Sequence, residues 1–391
     1  MIPVLVIAEP LSETGSLQLG LEHPDFIRLL ESQVEGARGE LIKSQSWANP
    51  ELELSREEAG DETETGVWLH QPIDFSGRRR LDQDTSEMKI RVAEAGNELQ
   101  RVERIADIRR SFYQALFHQQ KQQLFAQWVD RFSSVEADMR KREAAGDVSG
   151  YDRLRISREQ ASVLARRRGS QAEFEAAWQQ LLGKIGQENS HNFNRIDGHL
   201  LPGELPALSK VLGGADQYPV LVQRSQQAEA ARLNARSVAR SHIPELTFGV
   251  GHKAIDRPGA DESGLMLSAS VALPLFDRKQ GEQQQARAKA IQAESEYQLA
   301  SQQLRAEIRS LWTKADQTST NARLFSEQNV APSFELVRIA EASYAANEIG
   351  VLELIDAYRS ALDAEISALT LAIDARLVRI DLDAMTDGIR P

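Results

Sequence analysis

The stretches "VWLHQPIDFSGRRR" (Val67–Arg80) and "SVALPLFDRKQG" (Ser270–Gly281) lie about two hundred residues apart and follow one plan. Each runs from an apolar segment through a Pro and a Phe into a basic, Gly-containing turn, and an Ala/Gln/Glu-rich helical sequence follows. Proline lacks a ladder donor and glycine turns the chain, so both stretches read as a strand that stops and hands over to a helix.

The match extends outward. His23-Pro24 precedes a helical pattern closed by Asn49-Pro50-Glu51-Leu52, and Tyr218-Pro219 precedes one closed by Ile243-Pro244-Glu245-Leu246. After each Pro-Glu-Leu comes an alternating segment, a polar loop (Ala59–Thr65 or Asp256–Ser263) and a returning segment. The pattern predicts two structural repeats after an N-terminal extended segment at 1–22. The first, 23–217, carries strands at about 50–58 and 65–74 and a helical hairpin tip at about 144–152. The second, 218–391, carries strands at about 244–255 and 264–275 and a tip at about 345–353.

Long helices are written by period. Leu124, Trp128, Phe132, Val135 and Met139 keep 3–4 spacing, as do Tyr297, Ala300, Leu304, Ile308 and Leu311. Ile355, Ile366 and Leu377 recur every eleven residues within a longer stripe, which favours nearly straight packing. A helix from Leu81 to Glu143 would be about 95 Å long at 1.5 Å per residue and needs neighbours to cover its stripe. The tips "REAAGDVSGYDRL" (Arg142–Leu154) and "YAANEIGVLELIDA" (Tyr344–Ala357) place Gly or Asn where helix ends adopt left-handed backbone.

Composition narrows the class. The 391 residues carry 41% hydrophobic and 6% aromatic side chains with mean hydropathy −0.42, which suits long helices with narrow stripes better than a compact globule. No run reaches the roughly 18 apolar residues of a spanning helix, which leaves β-strand insertion open. "MIPVLVIAEP" lacks the basic start and cleavage site of a secretory signal. There is no cysteine, hence no disulfide, thiolate site or lipidated Cys, and the net charge of −12 argues against nucleic acid as a partner.

Two short strands per half are not stable alone, and four per chain do not close a barrel; three chains would give twelve strands. A closed barrel has no edges and can sit in a bilayer, the helices continuing in water. In "ELELSRE", Leu52 and Leu54 would then face lipid, with Glu51, Glu53 and Ser55 facing a wet lumen. Trp68, Phe75, Arg78, Phe276 and Arg278 are the expected membrane-interface residues.

The doubled Pro-Glu-Leu/strand/Pro design, the segment Pro274–Gly281 and the tip "AAGDVSGYDRL" resemble the TolC-like outer-membrane factor (outer membrane efflux protein) family over about His23 to Ala384. "NPELELSREE", "QPIDFSGRRR" and "LPLFDRKQG" make it most similar to the cobalt-zinc-cadmium type of resistance-nodulation-division efflux. The resemblance implies a mainly α protein with a small β part: internally duplicated long-helix hairpins forming a trimeric α-barrel, continued by a twelve-stranded transmembrane β-barrel. It also implies an outer-membrane exit duct, its helices in the periplasm of a Gram-negative bacterium, working with a periplasmic adaptor, an inner-membrane transporter and outer-membrane lipid. Relatives with an acylated N-terminal Cys differ from this chain. A drug-efflux or type I secretion duct and, in another class, a soluble coiled-coil scaffold remain alternatives.

No catalytic constellation and no cofactor motif is present. The seven histidines, His23, His70, His118, His191, His199, His242 and His252, form no paired helical metal motif, so no metal site is expected. Function is expected at the tips. Asp147, Asp152, Glu348, Glu353 and Asp356 would attract cations and pair with Arg153, Arg155 or Arg359 in gating, while Gly146, Val148, Gly150, Ile349 and Gly350 would meet the adaptor. Arg166–Arg168 reads as a solvated helix face, and Trp128, Trp178 and Trp312 as packing between helices.

Overall fold

The computed structural model describes residues 9–187 and 193–386; His191 and the apolar run Met1–Ala8 lie outside them. The chain forms two compact units. One gathers Met1–Arg28, Gln100–Tyr218 and Gln303–Pro391, and the other Leu29–Leu99 and Pro219–Gln302. Each unit therefore takes material from both sequence repeats.

The sheet unit holds β2 (Glu51–Ala59), β3 (Glu62–Ile73), β5 (Leu246–Arg257) and β6 (Ala260–Val271), antiparallel in the order β2-β3-β5-β6. The central pair joins the two halves of the sequence, from Thr63 opposite Asp256 to Ile73 opposite Leu246. The expected loops at Ala59–Thr65 and Asp256–Ser263 are two-residue turns, Gly60-Asp61 and Pro258-Gly259, with Gly60 at φ 65° and Gly259 at φ 100°. Strand pairing extends into the charged residues because cross-strand partners hold them: Arg257 meets Glu62 at 3.2 Å, and Lys253 meets Glu64. β6 ends at Val271, ahead of the expected stop at Pro274, whereas Pro72 sits inside β3 beyond its last pair with β2, Glu51–His70.

α2 (Pro24–Gln45) and α6 (Pro219–Ala239) each begin on the proline of the sequence repeat, where its fixed φ and missing N–H cost nothing. α3 (Arg78–Ala145) and α7 (Gln280–Phe325) follow the two Phe-containing turns. The residue just before each is left-handed: Gly77 at φ 69° and Lys279 at φ 61°. A π-helical turn (Ser326–Val330) separates α7 from α8 (Ala331–Ala345). Pro332 lacks the N–H that would bond back into that turn, which accounts for the break.

In the helical unit, α4 (Gly150–Lys184), α8, α9 (Val351–Ala384) and α3 from Gln100 onward bury two clusters. The first is built on Phe112, Leu116, Trp178, Leu181 and Ile380, the second on Phe125, Trp128, Phe132, Ile156 and Tyr358. The periodic residues of the sequence stripe supply them: Trp128, Phe132 and Met139 are almost fully buried. Tyr358 sets its ring edge-on to Trp128 at 5.5 Å and to Phe132 at 5.3 Å. Trp312, half-buried, donates its Nε1–H to the Pro206 carbonyl at 2.8 Å.

The expected extended segment 1–22 is corrected. β1 (Glu9–Leu11) pairs in parallel with β4 (Phe193–Ile196), and Glu13–Leu21 is helix α1, capped by Ser12 accepting from the Gly15 N–H. A buried Gln119 from α3 clasps β4 by both ends of its amide, each at 2.8 Å from an Ile196 backbone group. Arg109 bridges Glu13 at 2.6 Å and Asp383 at 2.9 Å, so α1, α3 and α9 share one guanidinium. Tyr113 also donates to Glu13, and burial first, then that bond, pushes its hydroxyl up to about 12. The short α5 (Leu208–Gly213) lies in the connection to the second half.

Phe132→Ala leaves a void in the second cluster and should destabilise the helical unit by about 3–5 kcal/mol, read as a lower midpoint in the thermal loss of helical circular dichroism. Replacing an exposed stripe neighbour, Leu336→Ala, should move that midpoint far less.

Candidate functional sites: the helical tips and the two-faced sheet

The two tips are one turn written twice. Past α3, Gly146 N–H bonds to the Glu143 carbonyl at 3.0 Å and Asp147 N–H to Arg142 at 2.9 Å; past α8, Asn347 bonds to Tyr344 at 3.1 Å and Glu348 to Ser343 at 2.8 Å. These are matched Schellman closures, with Gly146 at φ 81° and Asn347 at φ 59° in the left-handed position. The β-branched residues that follow, Val148 and Ile349, are half-buried against the second cluster and pin each turn to the core. Gly146, Gly150 and Gly350 are exposed, Gly350 standing at the N-cap of α9.

Asp147, Glu348, Glu353 and Asp356 are exposed. Asp152 is committed locally: its N–H donates to Ser149 Oγ at 3.1 Å, and its carboxylate accepts from the same hydroxyl at 2.8 Å. Within one chain the arginines meet other acids than the expected ones. Arg153 pairs with Glu143 and Arg359 with the largely buried Glu159, while Arg155 lies 5.3 Å over the Tyr151 ring. The cause is reach: Glu143 lies on α3 across the tip turn and Glu159 on α4, each beside its arginine. Arg359 is held protonated, most strongly by its hydrogen bond to Glu159.

Sequence reasoning missed the residue that joins the tips. Arg142 donates to Asn347 Oδ1 at 3.2 Å, lies 5.2 Å over the Tyr344 ring, and pairs with Asp138 at 3.0 Å. Nothing in the local pattern links positions 205 residues apart. Only the asparagine at a helix end was a signal. Arg166–Arg168 is exposed, as the solvated-face reading expects.

In the sheet, register sorts the side chains. Leu52 and Leu54 share a face with Val67 and Leu69, Phe248 and Val250, and Leu265 and Leu267. All are exposed, Leu54 at 71% and Leu267 at 78%. The other face carries Glu51, Glu53, Ser55, His70, Ser268 and Ser270. His70 pairs with Glu53 at 3.0 Å. Trp68 is also on this polar face, stacked on His70 at 5.9 Å and over Gly251, whose absent Cβ would meet the indole at 2.5 Å. The period-2 alternation turns it away from Leu69 and Val67. Phe75 and Phe276 are strongly exposed, Phe276 at 96%, and Arg78 is exposed at the start of α3; Arg278 precedes α7.

Among the described residues no group of three or more His, Asp or Glu side chains converges as metal ligands, and no helix is long and apolar enough to cross a membrane. Nothing lies within 4 Å of a Cβ added at Gly146, so its backbone angle alone decides tolerance there. Gly146→Val and Asn347→Val should each cost about 1–2 kcal/mol through left-handed backbone strain, whereas Asn347→Gly should cost no more than the Arg142 bond. Thermal melts of the three variants check this.

No family model matches the chain. It is 26% identical to the cobalt-zinc-cadmium resistance protein CzcC of Cupriavidus metallidurans over 376 residues, covering 94% of this chain and 88% of that protein. Its fold is similar to that of CusC, described as undergoing transmembrane channel formation (TM-score 0.77, 15% identity, 96% of this chain and 92% of that one). It is also similar to that of the outer membrane protein VceC of Vibrio cholerae (TM-score 0.77, 16% identity, 96% and 95%). Across nearly its whole length the chain is thus similar in sequence to CzcC and shares the fold of CusC and VceC.

Proposed function

We propose that the protein is the outer-membrane exit duct of a tripartite efflux pump: a passive conduit from periplasm to exterior, and not an enzyme. The observation that carries this is the sheet. Its apolar face is exposed from Leu52 to Leu267, while the outer edges of β2 and β6 pair with no strand among the described residues. Backbone edges are untenable in lipid, so closure with further copies is the physical solution. Three copies of the four-stranded sheet give twelve strands, with the apolar face to lipid and the Glu53/His70 face to the lumen.

The cargo is best read as heavy-metal cations, on the likeness to a protein named for cobalt, zinc and cadmium resistance. A duct that bound such ions tightly would stall, so the exposed carboxylates Asp147, Glu348, Glu353 and Asp356 attract and screen without coordinating. At the tips, Asp152, Arg153, Arg155 and Arg359 hold or release the periplasmic end. A periplasmic adaptor docks over Gly146, Val148, Gly150, Ile349 and Gly350, and an inner-membrane resistance-nodulation-division transporter supplies the energy.

Expressed behind a functional signal peptide, the protein should fractionate with outer membranes and show the mass of three 43.6 kDa chains only in detergent; a soluble monomer or dimer would return the coiled-coil scaffold. Leu54→Arg should lower the membrane-inserted fraction, at a cost of about 2–4 kcal/mol near the bilayer midplane, whereas Glu53→Arg should insert nearly as wild type. Equal losses would reverse the facing of the sheet.

A further inference from the structure

We propose that the corner between α2 and β2 is the docking surface for a second copy of this chain, whose Leu275 and Phe276, just past β6, pack on Trp47. The inference rests on the closure proposed above and names its contact: the surfaces that meet where β6 of one copy runs beside β2 of the next.

The chain already contains one such corner complete. Where β3 runs into α3, Arg240 at the end of α6 donates to the Ser76 and Gly77 carbonyls at 3.3 and 3.2 Å, and Ser237 Oγ donates to Asp82. The sequence repeat supplies the same two parts again, at opposite flanks of the unit. The sheet order is β2-β3-β5-β6, and the helices follow it: Lys89 on α3 meets Glu40 on α2 at 2.6 Å, and Arg232 on α6 meets Glu294 on α7 at 2.9 Å. One flank is therefore α2 with β2, the other α7 with β6, and two further elements separate them in each layer.

Exposure records the missing neighbour. With Pro72 set level with Pro274, and left-handed Gly77 with left-handed Lys279, Ile73 and Asp74 correspond to Leu275 and Phe276. The first two are half-buried, whereas Leu275 is 65% exposed and Phe276 almost wholly so. On the other flank Pro50 corresponds to Pro244, and Pro50 is exposed where Pro244 is half-buried. Exposed apolar residues continue along both helices, Ile42 on α2 and Ile291 and Leu299 on α7. Two uncovered apolar flanks that the repeat makes complementary fit a heterologous contact, each copy covering the next until the ring closes.

The same correspondence fixes the register. Within the chain Ile73 lies opposite Leu246, and Arg240 reaches Ser76 and Gly77. Between copies this sets Leu275 opposite Leu52 and brings Arg278 and Lys279 beside Ser46, leaving Phe276 within ring reach of Trp47. Arg79 holds that indole from one side, its guanidinium 4.1 Å from the ring centroid, and the ring is still 63% exposed. The seam between copies is thus aromatic where the corner inside the chain is polar.

Because the chain has no cysteine, a pair of introduced thiols reports the contact without background. The full chain carrying Trp47→Cys/Phe276→Cys, purified in detergent and treated with a short bismaleimide, should run as a covalent trimer under denaturing conditions, and neither single variant should link. Phe276→Ala, at a side chain the single chain leaves exposed, should raise the concentration at which half the chains are trimeric about tenfold, and Phe276→Leu should restore most of the loss. A detergent-dependent trimer in which the double variant stays unlinked overturns the seam and leaves the duct standing. A trimer that Phe276→Ala does not weaken also overturns it, in favour of bilayer contact at Phe276. A chain that forms no detergent-dependent trimer overturns both.

Discussion

Everything in the sheet unit depends on one constraint: four strands that expose a leucine-rich face and leave two edges unpaired cannot exist as they stand in either water or lipid. Water would leave Leu54 and Leu267 uncovered, and hydrocarbon would leave the outer N–H and C=O groups of β2 and β6 without partners. The proposed closure with further copies would meet both demands at once. The central pairing of β3 with β5 is the step that makes this possible, since it joins two hairpins, each too small to persist alone, into one sheet. On its polar face Gly249 and Gly251 leave the space into which the rings of His70 and Trp68 lie, so the aromatic bulk is carried by one strand and the room for it by the next.

The helical unit answers a different problem, that of covering narrow stripes on long helices. Two separate apolar clusters do so, and polar residues tie the elements between them. Arg109 is the clearest case. Burial opposes its charge, but Glu13 and Asp383 outweigh that penalty and hold it protonated, so three helices converge on a single cation. Removing either carboxylate would leave that buried charge under-compensated. The tips are less constrained. Their closures are backbone hydrogen bonds, their acids are exposed, and one arginine, Arg142, spans from one turn to the other.

Much of this was legible in the sequence. The doubled proline positions mark the first residues of α2 and α6, the glycine and asparagine of the tips occupy left-handed turns, and the stripe Leu124 to Met139 is core. These are local matters: φ preferences, missing donors and a 3.6-residue period act within a few residues of one another. The alternation in "ELELSRE" likewise assigned Leu52 and Leu54 to one face, because the pleat allows nothing else.

What the tertiary structure alone decided was partnership across distance. Trp68 carries the composition of an interface anchor yet lies on the polar face, since its place depends on the parity of β3 and the glycines of β5. Within one chain Arg153 and Arg359 meet Glu143 and Glu159, because helix packing brings those carboxylates near. Residues 13–21 were read as extended and are helical: Ser12 caps them locally, and their anchor, Glu13 on Arg109, is a contact 96 residues away. The sequence by itself determined where helices start and turns invert, for those follow from each residue's own backbone chemistry. Which charge answers which was settled only by folding, because electrostatic pairing is chosen by proximity in space and carries no period along the chain.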